Sequence, residues 1–398
     1  MENISIYIHI PFCEQRCAYC DFNTYAGVSE LIPDYIEAVL KEIRTVVASN
    51  HEKLKIKSLY FGGGTPSLLP PRLIHKIIAS VQSYFKVLPQ VEITIEANPG
   101  TVSKNSLMEF SQGGVNRISF GMQSAHPNDL TLLERQHNFR DVQNSVKWAR
   151  EAGIENINLD LIYGIPFQTI QRWEETLKGA LGLRPAHLSL YSLTIEPGTL
   201  LDQWINRGLL PEPDDDLSAD MYERACELFV SSGFIHYEIS NWAHKASGNP
   251  SICQHNMQYW RNEPYLGFGS GAHGYASGYR TANVPDILTY ISRCEENGCK
   301  EFPIGPASDT VIKIDSWSEM QETMMVGLRL VNEGVRTTRF KHRFGVNLKD
   351  VFGKTVQDLL QQGLLEWSDA FETSLRLTKR GLLLGNRVFE KFINQKSP

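Results

Sequence analysis

The sequence lacks the features that mark membrane-spanning, secreted and polyanion-binding proteins. No apolar run approaches the roughly 20 residues that a spanning helix needs. The start, MENISIYIHIPFC, has neither a basic region nor a small-residue cleavage site. The 45 Asp and Glu residues outnumber 39 Lys and Arg residues, so the formal net charge of −6 predicts no global attraction to nucleic acid or anionic lipid. These absences predict a cytoplasmic protein.

Cysteine is scarce over most of the chain. Only seven of the 398 residues are cysteines, and Cys226, Cys253, Cys294 and Cys299 are scattered over the second half. An odd and uneven set argues against a disulfide framework in a large protein of a reducing compartment. The other three cysteines fall close together near the start, and that cluster needs a different explanation.

The composition is that of an ordinary globular protein, with 42% hydrophobic and 21% charged residues, and the length predicts two or three domains. Short segments rich in β-branched and aromatic residues recur along the first part of the chain. The predicted strands are Ser5–Ile10, Ser58–Phe61, Val91–Ala97, Arg117–Gly121, Asn156–Ile162, His187–Leu193 and His236–Ser240.

Amphipathic helical stretches separate most of these strands. The first of them carries one apolar face, formed by Ile36, Val39, Leu40, Ile43, Val46 and Val47. The others are Leu73–Phe85, Lys104–Gln112, Asp141–Glu151, Thr169–Leu183 and Leu217–Ser231. The alternation predicts an α/β domain over residues 1–300, with a parallel sheet that forms an open or closed (β/α) barrel and carries its chemistry at the carboxyl ends of the strands.

A second, smaller domain is predicted over residues 301–398, after the linker-like stretch FPIGPASD. Two predicted helices precede the segments GLLEW and SLRLT, which suit a small hairpin, and a last helix follows. The predicted helices are Glu319–Val331, Leu348–Gln362 and Lys379–Phe392. This order is mainly α and winged-helix-like. Residues 318–398 carry 13 Lys and Arg against 9 Asp and Glu, an excess too small to predict nucleic-acid binding.

Cys13, Cys17 and Cys20 follow directly after the first predicted strand. Three soft thiolates on one short loop suit an iron–sulfur cluster, and a four-iron cluster held by three cysteines leaves one iron open to a small molecule. A structural zinc site is an alternative, but it needs a fourth ligand, and His9, the nearest candidate, belongs to the alternating strand pattern. A thioredoxin-like interpretation of CAYC is a further alternative.

The cysteine spacing, with Tyr19 before the last cysteine and the βα pattern behind it, resembles the radical S-adenosylmethionine (SAM) family. The resemblance implies a partial (β/α) barrel of the radical SAM type, a [4Fe–4S] cluster on the three cysteines, and SAM bound at the open iron and cleaved reductively to a deoxyadenosyl radical. The whole chain, from YIHIPFC onward, also resembles the coproporphyrinogen dehydrogenase group.

Several later strand ends are predicted to hold SAM. Residues 63–65 follow a predicted strand, where glycines let the backbone approach a ligand closely. Glu96 can accept hydrogen bonds from ribose hydroxyls or a cation. The resemblance adds residues in GMQS, LLERQH and NLDLIYG. The predicted SAM residues are Tyr7, Gly63, Gly64, Thr65, Glu96, Gln123, Arg135 and Asp160.

Two features divide that group into enzymes and haem chaperones. In the porphyrinogen-oxidising branch a further cysteine follows two positions after the third cluster cysteine, and a long arm precedes the cluster. Here Phe22 stands at that position and 12 residues precede Cys13. The chain resembles instead the HemW-type haem chaperones, whose HNxxYW motif matches residues 255–260. A second shared stretch, YLGFGSGAHGY, covers residues 265–275.

The HNxxYW segment is chemically suited to haem. An imidazole ligates haem iron, and tyrosine and tryptophan offer flat apolar surface to the macrocycle. His255, Tyr259 and Trp260 are therefore the predicted haem residues, with Cys253 and His273 as alternative ligands.

Three functions remain open at this point. The first is haem binding and transfer to apo-haemoproteins, with membrane-associated acceptors, a homodimer and the electron donor left open. The second is anaerobic decarboxylation of coproporphyrinogen III, which Phe22 disfavours, so enzymatic activity is not assigned. The third is radical modification of RNA or DNA, which the small basic excess disfavours.

Overall fold

The computed structural model describes residues 3–50, 54–245, 251–296 and 301–393. The strands in chain order are β1 (Asn3–Ile10), β2 (Phe12–Cys13), β3 (Tyr25–Ala26), β4 (Lys55–Gly63), β5 (Lys86–Ala97), β6 (Arg117–Gln123), β7 (Asn156–Tyr163), β8 (His187–Ser192), β9 (Phe234–Glu238), β10 (Asn241–His244), β11 (Tyr265–Phe268), β12 (His273–Ala276), β13 (Tyr279–Asn283), β14 (Ser308–Lys313), β15 (Val335–Arg336), β16 (Leu365–Trp367) and β17 (Ser374–Leu377).

Helices cover the connections between these strands. In chain order they are α1 (Ile32–Ala48), α2 (Pro71–Tyr84), α3 (Lys104–Gln112), α4 (Pro127–Leu132), α5 (Phe139–Glu151), α6 (Ile170–Gly182), α7 (Leu200–Asn206), α8 (Asp215–Ser231), α9 (Gln254–Trp260), α10 (Ile287–Glu295), α11 (Ser316–Gly327), α12 (Thr337–Phe344), α13 (Leu348–Gln361), α14 (Lys379–Leu383) and α15 (Gly385–Ile393). No helix in the described part of the chain is long and apolar enough to cross a lipid bilayer.

Within the described residues, one large mixed sheet has the strand order β14-β13-β12-β11-β1-β4-β5-β6-β7-β8-β10-β9. The strands from β11 to β8 run parallel. Antiparallel strands extend both edges, and the outermost strands, β14 and β9, are not paired with each other. The sheet is therefore an open barrel, which confirms the predicted partial (β/α) barrel.

The alternation of side chains along β1 shows how the sequence builds the barrel. Ile6 and Ile8 are fully buried and pack with Ile43 of α1 in the main hydrophobic core. Burying a side chain of this size contributes roughly 1.5–3 kcal/mol. Ser5 points to the other face, where its hydroxyl lies 2.6 Å from the hydroxyl of Ser58 on β4. This face of β1 therefore places polar groups in the barrel interior, where each needs a hydrogen-bond partner.

The predicted strands and helices of the barrel agree with the structure in type and approximate position. The seventh predicted strand differs in direction, because β9 forms a tight hairpin with β10 and joins the edge antiparallel. A hairpin connection is too short for the crossover that parallel strands require. The antiparallel edge from β12 to β14, and the short helix α9, were not predicted.

The C-terminal unit has its own hydrophobic core and is mainly helical, as predicted. The core residues include Met324, Leu328, Phe340, Phe352, Leu375, Val388 and Phe392. The segments GLLEW and SLRLT form the predicted hairpin, in which Leu365 faces Leu377. Ser308–Lys313 is hydrogen-bonded to β13 and so extends the large sheet. The boundary at residue 300, like Cys299, lies outside the described residues, and the domain division stays a prediction.

Candidate cofactor site: a three-thiol cavity

A cavity of about 400 Å³ opens at the carboxyl ends of the parallel strands. All the predicted cluster residues and all the predicted SAM residues except Tyr7 line it. These residues are Cys13, Cys17, Cys20, Gly63, Gly64, Thr65, Glu96, Gln123, Arg135 and Asp160. They come together because parallel strands end at the same edge of a sheet, so loops distant in sequence share one space.

Each thiol has a polar neighbour. The Thr65 hydroxyl donates to Sγ of Cys13 over 3.7 Å, and Nη1 of Arg135 donates to Sγ of Cys17 over 3.4 Å. Sγ of Cys20 lies 3.9 Å from Oγ1 of Thr24. Burial raises the pKa of Cys13, while the Thr65 hydrogen bond and the charge of Arg135 oppose that rise. The pKa of Cys20 is likewise raised by burial, so burial favours the neutral thiols, and the hydrogen bond from Thr65 and the charge of Arg135 are the interactions that stabilise a thiolate there.

The thiols surround a space rather than meet at a point. Among the described residues, no three His, Cys, Asp or Glu side chains are placed to hold a single metal ion. A four-iron cluster binds each thiolate on a different iron, so it needs separated thiols around one cavity.

The glycine loop after β4 packs tightly against the chain that leads to the cysteines. The amide of Gly64 donates to the Ile10 carbonyl and the amide of Thr65 to the Phe12 carbonyl, each over 2.8 Å. A Cβ at position 64 would lie 2.6 Å from the Phe12 oxygen. The absence of a side chain therefore permits a close approach of two protein segments. The role of Gly63 and Gly64 in binding SAM stays a prediction.

Two half-buried acids, Glu96 and Asp160, form one wall. Glu96 accepts a hydrogen bond from the Tyr60 hydroxyl over 2.7 Å and one from the Gly63 amide over 3.2 Å. Burial raises the pKa of Glu96 to about 7, against the opposing effect of the Tyr60 hydrogen bond. Asp160 accepts from Ser119, and burial likewise raises its pKa. Titratable groups perturbed in this way are typical of functional sites.

Gln123 lies at the end of β6 and is strained as well as buried. Its φ of 61° is in the left-handed region, which costs a non-glycine residue energy, and only 8% of its surface is exposed. Its Oε1 has no hydrogen-bond donor among the described residues. A buried amide oxygen without such a partner indicates a donor supplied by a ligand.

The residues of this cavity fit a [4Fe–4S] cluster and SAM, since they include three separated thiols, two half-buried acids and a Gln123 oxygen without a hydrogen-bond donor among the described residues. When bound, such a cluster supplies the electron that cleaves SAM. Arg135 joins the cluster loop to the sheet, since its Nη2 also donates to the Gly121 carbonyl over 2.9 Å. Glu96 and Asp160 offer acceptors for the hydroxyl and ammonium groups of SAM.

Tyr7 lies behind the cavity wall instead of lining it. Its ring stacks on that of Tyr60 with 6.2 Å between centroids, and its hydroxyl lies 3.0 Å from Nδ1 of His9. Tyr60, Asn98 and Ser119 line the cavity and were not predicted. Period-2 alternation along β4 and β6 was the available signal for Tyr60 and Ser119, and the NPG turn after β5 for Asn98.

The HNxxYW segment forms α9, near the opposite ends of the strands. The amides of Gln254 and His255 donate to the carboxylate of Glu92 over 3.0 and 3.1 Å, so this acid caps the helix. His255 is 2% exposed, and its ring nitrogens lie 2.9 Å from the hydroxyls of Ser58 and Tyr259. Burial lowers its pKa to about 3, so the imidazole is neutral.

The predicted haem residues are therefore not brought to the thiol cavity. Tyr259 and Trp260 are half-buried, whereas the alternative ligand Cys253 is fully buried and donates to Glu92 over 3.5 Å. Burial raises the pKa of Cys253 to about 12. His273, the other alternative, is exposed on β12.

Comparison with known proteins agrees with this geometry. The profile of the Radical SAM superfamily matches residues 7–180, and that of the HemN C-terminal domain matches residues 314–384. A solved structure of Escherichia coli coproporphyrinogen III oxidase, HemN, superposes with a TM-score of 0.82 at 22% identity, covering 99% of this chain and 90% of that one. At that identity the likeness shows the fold alone. The fold and the three-cysteine cavity define a radical SAM protein.

Proteins of similar sequence identify the family within this class. The chain is 38% identical to a Bacillus subtilis protein named heme chaperone HemW, covering 98% of this chain and 99% of that protein. The Escherichia coli protein of the same name is 34% identical, with 98% of each chain covered. A mitochondrial radical SAM domain-containing protein of Danio rerio is 34% identical over 96% of this chain and 84% of that protein. The chain belongs to the HemW family within the radical SAM superfamily.

Proposed function

We propose that this protein is a haem chaperone, which binds haem and transfers it to apo-haemoproteins while carrying a radical SAM cluster. Phe22 carries the proposal, because it replaces the further cysteine of the porphyrinogen-oxidising branch. Its ring is 64% exposed at the mouth of the cavity, where it supplies apolar surface and no thiol. The full-length similarity to proteins named heme chaperone HemW supports the same function.

His255, Tyr259 and Trp260 are the proposed haem-holding segment. A neutral imidazole is the form that ligates iron, and the low pKa of His255 keeps it neutral. Because Nε2 is engaged with the Tyr259 hydroxyl, ligation through that nitrogen requires this hydrogen bond to open.

Hemin titration tests this proposal. We expect a saturable Soret band in the wild-type protein, and in His255→Ala a shifted band or a faster loss of haem to an apo-haemoprotein acceptor. The matched control is His187→Ala. That histidine is also fully buried, with its ring nitrogens 2.6 Å from Oδ1 of Asn158 and 2.8 Å from the Tyr237 hydroxyl. An identical spectrum and off-rate in His255→Ala would falsify ligation by His255 and direct the search to Cys253 or His273.

Coproporphyrinogen III decarboxylation is the competing function, and it rests on likeness of fold to the Escherichia coli oxidase. Fold does not fix function. With reductant, SAM and coproporphyrinogen III under anaerobic conditions, we expect no catalytic formation of protoporphyrinogen. Multiple turnovers, or growth of a strain that lacks its own oxygen-independent enzyme, would restore the enzymatic interpretation.

The proposed partners follow from this function. They are haem and apo-haemoprotein acceptors in the cytoplasm, including membrane-associated acceptors, together with an electron donor for the cluster. A homodimer remains part of the proposal, and nucleic acid does not. Pull-down of haem-loaded protein with candidate apo-haemoproteins, compared with haem-free protein, tests whether acceptor binding depends on the cargo.

A further inference from the structure

A continuous set of contacts joins α9 to the cofactor cavity through the barrel interior. The His255 ring stacks on the Tyr60 ring, with 4.8 Å between centroids and 23° between planes. The Tyr60 hydroxyl donates to Oε1 of Glu96 over 2.7 Å. Oε2 of Glu96 accepts from the Gly63 amide over 3.2 Å. The imidazole thus supports the ring that orients a cavity acid.

A second route leads from the same imidazole to the cysteine loop. The Tyr7 ring lies 6.4 Å from the His255 ring, and its hydroxyl lies 3.0 Å from Nδ1 of His9. Nε2 of His9 lies 2.8 Å from the carbonyl of Asn23, close behind Cys20. A Cβ at Gly63 would lie 2.5 Å from the His9 ring, so the His9 side chain packs directly against the backbone of the glycine loop.

His255 itself is held rigidly. Ser58 and Tyr259 engage its two ring nitrogens, and Ser58 is in turn bonded to Ser5. In a close-packed interior, removal of this ring leaves a void into which Tyr60 relaxes. Movement of Tyr60 takes its hydroxyl away from Glu96, since the hydrogen bond tolerates little displacement.

The far end of α9 is anchored in the C-terminal unit. The Arg329 guanidinium lies 4.5 Å from the ring centroid of Trp260, and Arg261 pairs with Glu333 at 2.6 Å. The helix therefore links residues of the C-terminal unit to the interior of the barrel.

We propose that His255 is a positioning residue for the cofactor cavity. Through Tyr60 it sets the carboxylate of Glu96, and through Tyr7 and His9 it sets the loop that follows Cys20. The orientation of α9 and the affinity of the cavity for SAM are therefore coupled, and by linkage the coupling is reciprocal. This inference requires SAM binding in the cavity and does not depend on haem ligation by His255.

The test is SAM binding to cluster-loaded protein, measured by equilibrium dialysis, with the electron spin resonance spectrum of the reduced cluster recorded with and without SAM. His255→Ala and Tyr60→Phe should each weaken SAM binding about fivefold to thirtyfold at unchanged iron and sulfide content. Both should also diminish the spectral change that SAM produces. The double variant should lose less than the product of the single losses, because both act through one carboxylate.

Tyr222→Phe is the matched control for Tyr60→Phe. Tyr222 is a buried tyrosine outside the cavity, and its hydroxyl donates to the Ile239 carbonyl over 2.8 Å. Its loss should lower thermal stability comparably and leave SAM affinity unchanged. If His255→Ala fails to fold or to load iron, Tyr60→Phe carries the test alone. Unchanged SAM affinity in Tyr60→Phe, or an additive double variant, overturns the proposal.

Two measurements on His255→Ala distinguish the positioning role from haem ligation. Weakened SAM binding with an unaltered haem spectrum in His255→Ala supports positioning and contradicts ligation. Altered haem binding with intact SAM affinity in the same variant supports ligation and contradicts positioning.

Discussion

The two ends of the barrel place the same kinds of residue in opposite surroundings. At the carboxyl ends of the strands, thiols, acids and the Gln123 amide face an open cavity, and the amide oxygen has no donor among the described residues. At the other end, α9 fills the space, and both ring nitrogens of His255 are occupied. The contrast teaches that a motif rich in reactive residues can bind a ligand directly only where the fold leaves the polar atoms of those residues without protein partners.

Two acids on β5 show the contrast within one strand. Glu96 faces the cavity and accepts from one hydroxyl and one amide. Glu92 accepts from two amides at the start of α9 and from the Cys253 thiol. An acid at a helix N-terminus satisfies otherwise unpaired amides and opposes the helix dipole. One glutamate thus faces the cavity, and the other pairs with the start of α9.

The largest expected effect is loss of the cluster when any cavity thiol is removed. Cys13→Ala, Cys17→Ala or Cys20→Ala should abolish the four-iron absorbance and spin signal after anaerobic reconstitution, since no other described thiol lines the cavity. Cys226→Ala, on α8, is the control and should load iron normally. Retention of the four-iron signal in the triple variant would contradict the assignment.

The next effect separates the cavity acids from a buried acid elsewhere. Glu96→Gln and Asp160→Asn should each weaken SAM binding by about 1–3 kcal/mol in calorimetry on cluster-loaded protein, because a buried ligand donor loses its charged acceptor. Glu42→Gln is the control, since Glu42 is a buried carboxylate on α1 that accepts from Tyr290 over 2.7 Å. Unchanged affinity in both cavity variants would count against this pocket.

A third change tests whether Glu92 serves the fold. Glu92→Gln keeps the shape and removes the charge that caps α9, so the free energy of unfolding should fall by about 0.5–2 kcal/mol. Denaturant unfolding at equal protein concentration measures this loss. Iron and sulfide content should stay at the wild-type level. Loss of the cluster with unchanged stability would reverse the roles assigned to the two ends.

The smallest effect is a pH dependence of SAM binding. Burial raises the pKa of Glu96 to about 7, so its carboxyl is neutral below that pH and ionised above it. Affinity for SAM should therefore rise with pH between about 6 and 8, by no more than about tenfold per unit. The Glu96→Gln profile should be flatter. A flat wild-type profile over the same range would show that the Glu96 charge does not contribute to binding.

The same raised pKa has the opposite sign for stability. The folded protein holds a proton on Glu96 over a range where the unfolded chain, with an ordinary carboxyl pKa near 4.5, has released it. The unfolding free energy contributed by this group therefore falls as pH rises from about 4.5 to about 7 and is level above that. Stability and SAM affinity are therefore expected to move in opposite directions between about pH 6 and pH 7.

The sequence was sufficient for the parallel strands of the barrel, the helices between them and most of the cavity residues. Alternation along Ser5–Ile10 and the apolar face of α1 are local patterns, and each specifies one element. The cysteine spacing lies within one loop. Because βα units bring their carboxyl ends to one edge, strand-end residues such as Thr65 and Glu96 were predicted to meet without knowledge of their contacts. Gln123 was predicted from the resemblance to the radical SAM family.

Only the tertiary structure decided which buried polar groups are hydrogen-bonded to each other. The amide of His255 reaches Glu92 across 163 residues, and the Tyr60 ring that separates α9 from the cavity carries no motif of its own. The partner of a buried polar group lies on a chain segment that comes close only after packing. The spacing of residues along the sequence therefore does not predict that partner. The sequence by itself therefore determined which residues are chemically suited to a cluster, to SAM and to haem, whereas packing decided that the cysteines face a cavity and that the HNxxYW histidine is buried beneath it.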